Sequence, residues 1–197
     1  MDINQKSALR HLPNFLTLSR ILVVLPMAVI LTSPSKSAGF IATVLFAIAS
    51  FTDWLDGYLA RRMGIITVLG KFLDPIADKL LVMAALIMII PFERVPAWMV
   101  LVILSREIII TGLRGIASSE GIVIAASNLG KYKTIFQIVA ILGLLLHYEY
   151  YWLFGLKSSL FLVNMHNVGI FYLWIATIIT VWSGIDYLVR FFKVLLK

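Results

Sequence analysis

The chain contains no cysteine among its 197 residues, which excludes a disulfide frame, a thiolate nucleophile and a thiolate metal site. Charge is scarce too. Only 14% of the residues are charged and 61% are hydrophobic, whereas a soluble domain is about a quarter charged and half apolar. Mean hydropathy is +0.98. No internal repeat and no low-complexity stretch is visible. The first residues, Met1 to Pro13, lack the basic, apolar and small-residue order of a secretory signal. A length of 197 residues leaves no room for a second sizeable domain, so a single domain over 1–197 is expected.

What is present is long apolar runs. A spanning helix needs roughly 20 mainly apolar residues, and the sequence predicts an all-α, polytopic membrane protein with six such helices. The first runs from about Asn14 to Leu31, behind a short amphipathic helix carrying Lys6, Arg10 and His11. The others run from about Phe40 to Tyr58, Phe72 to Ile90, Pro96 to Leu113, Tyr132 to Tyr150 and Val168 to Phe191. Ser33-Pro34-Ser35, Gly64, Pro91, Pro96, Gly121 and Gly130 mark the breaks, and Leu153 to Asn167 reads as an irregular outer link.

The net charge of +7 raises the question of nucleic acid, but the basic residues fall at the ends of apolar segments and form no soluble patch. They read as topology, with a second role in attracting anionic membrane lipids, and nucleic acid is not an expected partner. With the N-terminus inside, all but Lys36, Arg94 and Lys157 of the 17 basic residues fall on the cytoplasmic half. That bias predicts both termini inside.

The same topology places a run of carboxylates on the cytoplasmic side: Asp53-x2-Asp56-Gly57-x2-Ala60-Arg61-x8-Gly70-x3-Asp74-x3-Asp78. Residues three and four apart share a helix face, so Asp53, Asp56, Gly57 and Ala60 form one stripe and Gly70, Asp74 and Asp78 another. Four converging acids would repel and raise each other's pKa. As solvated helix ends they would be unremarked singly, but the spaced set points to hard divalent cations. Mg²⁺ suits carboxylates combined with substrate phosphates, and two such ions can stabilise the entering and leaving oxygens of a phosphoryl displacement. Gly57 and Gly70 let a ligand approach the backbone, Ala60 keeps the face shallow, and Arg61 offers a fork suited to phosphate.

That string resembles the signature of the CDP-alcohol phosphatidyltransferase family, with every defining position present. The resemblance implies a six-helix membrane enzyme, dimeric, with a two-metal site (Mg²⁺ or Mn²⁺) facing the cytoplasm of a bacterial cell membrane. It implies that Asp53, Asp56 and Asp74 hold metal and that Asp78 completes the site and acts as general base. Gly57, Ala60 and Arg61, beside Asp56 and Gly70, would receive the CDP moiety of CDP-diacylglycerol.

A second constellation bears on the acceptor: Arg106-Glu107, then Gly112-Leu113-Arg114, then Gly130-Lys131-x-Lys133-Thr134-x2-Gln137. Clustered cations suit an acceptor that brings its own phosphate. They would repel choline or ethanolamine, and a plain polyol would not require them. Lys131 and Lys133 also fit as positive-inside residues. Arg106 and Glu107 sit inside an apolar helix, where an unmatched charge costs roughly 2.5–3.5 kcal/mol, or else each pairs with a neighbouring helix. The strings Ser105 to Arg114 and Gly130 to Thr134 resemble the family branch that uses glycerol 3-phosphate. So do Pro13-Asn14-x2-Thr17-x2-Arg20 and Ser183-Gly184-Ile185-Asp186-Tyr187. On that resemblance Arg106, Arg114 and Lys131, joined by Lys133 and Arg190, are expected to hold the acceptor phosphate. Asn14 and Thr17 contact the nucleotide or cap the first helix. Asp186 and Tyr187 line the acceptor pocket or satisfy each other.

Two rival readings stay open. A sibling transferase would use another acceptor, such as inositol phosphate, serine or phosphatidylglycerol. A divalent-cation transporter would use the acids as a relay, though transporter sites lie near the midplane of repeated halves. His11, His147 and His166 read as interface residues, and the tryptophans as interfacial belt or packing.

Overall fold

The computed structural model describes residues 18–63, 68–121, 128–151 and 162–195, with side chains described outside 56–75, 128–129, 131, 151 and 195. Helix α1 covers Leu18–Ile30. It is followed by α2 (Lys36–Met63), α3 (Val68–Met88), a short 3-10 turn (Ile90–Phe92), α4 (Ala97–Ser119) and α5 (Asn128–Leu146). Strands β1 (Glu149–Tyr151) and β2 (Leu162–Asn164) then lead into α6 (Met165–Leu195). The proposed amphipathic lead lies outside the described residues.

Two apolar windows, Lys36–Leu55 and Met165–Val194, are long enough to cross a bilayer, and Leu18–Ile30 and Tyr132–Leu146 are shorter apolar helices. At 1.5 Å per residue, the 31 residues of α6 rise about 46 Å, more than the roughly 30 Å of hydrocarbon. The helices are apolar on their outer faces. Phe40, Val44, Ile48 and Phe51 are exposed along α2, and Phe171, Trp174, Ile178, Trp182, Ile185 and Val189 along α6. Arg20, Lys133, Gln137, Thr180 and Ser183 are buried. Continuous exposed apolar faces of this kind suit lipid rather than water.

The chain forms two compact units, Met1–Met88 and Ile89–Lys197. In the first, α2 packs on α3 and an ion pair joins the buried Arg20 of α1 to the half-exposed Asp53 of α2. In the second, α5 and α4 both pack on α6. The α5 face carries Lys133, Gln137, Ala140, Ile141, Leu144 and Leu145, all buried, at helical spacing.

Closest approach of α5 and α6 falls at two glycines. A Cβ on Gly143 would lie 2.8 Å from the Gly169 Cα, and one on Gly169 would lie 2.7 Å from the Leu144 backbone nitrogen. Neither neighbour is a flexible side-chain tip, so the helices themselves must part. Gly143→Ala is therefore expected to lower the melting temperature in detergent, by an overpacking cost of about 1–3 kcal/mol. Gly112→Ala, where a Cβ meets nothing within 4 Å, is the control that should not.

Several expected boundaries shift, beginning with α2, which runs from Lys36 to Met63, and α3, which starts at Val68. Helix α4 continues through Arg114 to Ser119 and ends before Gly121, whose φ is +71°. Helix α5 starts at Asn128, so Gly130 is helical and not a break. The fifth segment ends at Leu146, where His147 turns the chain with φ of +58°. A two-stranded ribbon flanks the outer link: Glu149, Tyr150 and Tyr151 pair antiparallel with Asn164, Val163 and Leu162. That ribbon leads directly into α6, which begins at Met165. At the same end the His147 and His166 rings meet edge to face, 4.8 Å between centroids.

Candidate active site

Helices α2 and α3 run unbroken through both acid stripes, Asp53 to Arg61 in α2 and Gly70 to Asp78 in α3. Asp53 falls in the last turn of the apolar window of α2, Lys36–Leu55, and Asp56 directly follows it. The side chains of Asp56, Gly57, Ala60, Arg61, Gly70 and Asp74 lie outside the described ones, as do Asn14, Thr17 and the Lys131 side chain. Asp53 and Asp78 are described. Asp53 takes a charge-assisted hydrogen bond from Arg20, whose side chain is fully buried. Asp78 faces Lys79 Nζ at 3.6 Å, and its side chain is half exposed. Its Oδ1 is nevertheless buried, with no hydrogen-bond partner among the described residues.

The Asp53 and Asp78 carboxylates also act on each other electrostatically. A buried, under-bonded carboxylate oxygen near a second carboxylate is the donor chemistry a hard cation takes. The residues present fit a divalent ion in that respect. Among the described residues no group of three or more potential ligands comes together, and Asp56 and Asp74 are not among them.

In the second unit, Arg106, Lys133, Arg114 and Arg190, all expected at the acceptor phosphate, fall into three environments. Arg106 and Lys133 converge on one carboxylate oxygen: Glu107 Oε1 accepts from Arg106 Nη1 at 3.1 Å and from Lys133 Nζ. Arg106 Nη2 donates to Ser183 Oγ on α6 at 3.1 Å. Arg106 and Glu107 pair with each other, and each also reaches a neighbouring helix, as the structural alternative to acceptor binding expected. Arg114 is exposed, its guanidinium 5.8 Å from the centroid of the Tyr187 ring. Arg190 is held differently. It binds Asp186 through Nε and Nη2, both at 3.1 Å, one helical turn apart.

The pairing of Asp186 with Tyr187 is not found, because adjacent residues diverge on a helix while i and i+4 meet. Gly184 earns its smallness here: a Cβ would lie 3.1 Å from Arg106 Cγ. Three groups had no assigned partner in the sequence reading, namely Arg20 against Asp53, Glu107 as a shared acceptor, and Ser183 against Arg106. Only the buried cost of Arg20 and Glu107 in apolar helices hinted at them.

Residues 10–182 match the family model of the CDP-alcohol phosphatidyltransferases, and the chain belongs to that family. Membership and the long apolar helices together make it a membrane protein. Similar proteins include one from Bacillus subtilis, 43% identical over 189 residues, an alignment covering 90% of this chain and 93% of the relative. Another, from Haemophilus influenzae, is 40% identical over 185 residues, covering 90% and 91%. A third, from Rickettsia typhi, is 37% identical over 180 residues, covering 91% and 96%. All three bear the name CDP-diacylglycerol–glycerol-3-phosphate 3-phosphatidyltransferase.

Proposed function

We propose that this protein transfers the phosphatidyl group of CDP-diacylglycerol to sn-glycerol 3-phosphate, releasing phosphatidylglycerophosphate and CMP. The observation that carries the acceptor choice is the node at Glu107. Two cations, Arg106 and Lys133, share one carboxylate. Both cations are thereby gathered at one point, among largely buried helix faces where charge is costly. A phosphate on the acceptor is the group that such a pair of donors recognises through charge-assisted bonds. Serine brings no phosphate, and its single carboxylate is offset by its own ammonium group.

The reading extends to the parts on which the fold is silent. Six spans carry both termini and the site at the cytoplasmic side, and the chain works as one catalytic domain in a homodimer among membrane lipids. Asp53, Asp56, Asp74 and Asp78 hold two divalent cations, Mg²⁺ or Mn²⁺. Bound there, these supply electrostatic stabilisation of the pyrophosphate and the departing phosphate. Gly57, Ala60, Arg61 and Gly70, with Asn14 and Thr17, receive the nucleotide. Arg106, Arg114, Lys131 and Lys133 hold the acceptor phosphate, and Arg190 reaches it only by leaving Asp186. Asp78 takes the proton from the acceptor 1-hydroxyl. The resulting oxygen forms its bond to the lipid-bearing phosphorus as the bond to the CMP oxygen breaks, and CMP leaves with that electron pair.

The purified protein with Mg²⁺ is expected to release CMP from CDP-diacylglycerol when given glycerol 3-phosphate, and not when given serine, inositol phosphate or phosphatidylglycerol. Removing the metal with EDTA should abolish turnover, and adding back Mg²⁺ or Mn²⁺ should restore it. CMP release with another acceptor only would overturn the choice of substrate. Metal flux into proteoliposomes without CMP release would instead favour a transporter.

A further inference from the structure

We propose that the Tyr187 hydroxyl is a specificity-determining group that donates a hydrogen bond to a phosphate oxygen of the acceptor. The proposal rests on the reading above that the acceptor carries a phosphate. Tyr187 is only 6% exposed, and its ring packs in a cluster with Ile110, Ala117, Phe191 and Leu113. Its hydroxyl oxygen is buried and has no hydrogen-bond partner among the described residues. The neighbour that adjacency offered it, Asp186, is engaged by both Nε and Nη2 of Arg190.

Buried polar groups are nearly always paired, and one left alone is destabilising. Phenylalanine would fill the same space, as Phe191 does one turn further on, without that cost. The phenol is therefore retained for a partner from outside the chain. The side chains around it define what that partner must be. Arg114 lies over the ring, and Arg106 is held by Ser183, one turn back on the same face of α6. Guanidinium groups only donate, so the hydroxyl proton has no acceptor in them. An anionic oxygen drawn to those cations supplies one, and phosphate offers several.

The test is Tyr187→Phe in the full-length protein, purified in detergent and assayed with Mg²⁺. Deleting an unpaired hydroxyl should leave the melting temperature without acceptor unchanged or raised. The KM for glycerol 3-phosphate should rise about tenfold or more, the value of a hydrogen bond to a charged group. The KM for CDP-diacylglycerol should stay within about twofold, and the thermal shift given by glycerol 3-phosphate should shrink. An unchanged KM for glycerol 3-phosphate would mean that the hydroxyl serves only a water, and would overturn the proposal. So would a fall in melting temperature with both KM values rising together, which marks a packing role. Failure of the wild type itself to use glycerol 3-phosphate would overturn the acceptor reading, and this assignment with it.

Discussion

Asp78→Asn is expected to cut the turnover of CDP-diacylglycerol with glycerol 3-phosphate by about a hundredfold or more, the usual contribution of a positioned general base. The substitution preserves size and removes both the proton-accepting charge and a cation ligand. Its cost to the fold should be small. The ion pair it deletes is long, at 3.6 Å, and its Asp78 side is half exposed, a class of interaction worth about 0–1 kcal/mol. It also relieves repulsion from Asp53. Loss of turnover at an undiminished melting temperature is thus the signature of a chemical role. Turnover at the wild-type rate would remove Asp78 from that role. Asp53→Asn is a less clean probe, because it disturbs the buried Arg20 as well as the site.

Arg106→Gln is expected to lower kcat/KM for glycerol 3-phosphate by about a hundredfold, with little change in the KM for CDP-diacylglycerol. A charge-assisted hydrogen bond contributes about 1.5–3 kcal/mol, and a guanidinium can make two to one phosphate. The substitution also disturbs the bond to Ser183 and removes one of the two cations that meet at Glu107 Oε1. Initial-rate kinetics with each substrate varied in turn separates the two effects. An equal loss for both substrates would show that Arg106 holds the helices together and does not select the acceptor.

Much of this was legible from one-dimensional spacing, and the reasons differ by region. The acids of α2 and α3 follow the i, i+3, i+4 rule inside apolar runs, so the unbroken helices there match the expected stripes. The extension of α4 past Leu113 was hidden because Arg114 interrupts the apolar run, although nothing in the backbone stops the helix before Gly121. Gly130 misled for the opposite reason, since glycine near a helix start costs little when packing on a partner helix compensates. The strands at 149–151 and 162–164 are three residues each and find each other across sequence, which no local pattern announces. The ion pairs Arg20 with Asp53 and Lys133 with Glu107 are likewise long-range. The Asp186–Arg190 pair, by contrast, sits at i, i+4 and could have been read directly, which would have left Tyr187 in need of another partner.

Arg94 stands out among the basic residues outside the expected cytoplasmic set, because its guanidinium is occupied. It is 3% exposed, donates to the Leu145 carbonyl at the end of α5 and to the Tyr148 hydroxyl, and faces the rings of Phe92 and Tyr148. The first of those partners lies 51 residues further along the chain. At about 5–20 residues per second of synthesis, the ribosome needs roughly 3–10 s to reach it. During that interval Arg94 has the Phe92 ring beside it but neither of the two oxygens it binds in the folded chain. The turn before α4 has local backbone bonds of its own, so what waits for α5 is the burial of the Arg94 guanidinium.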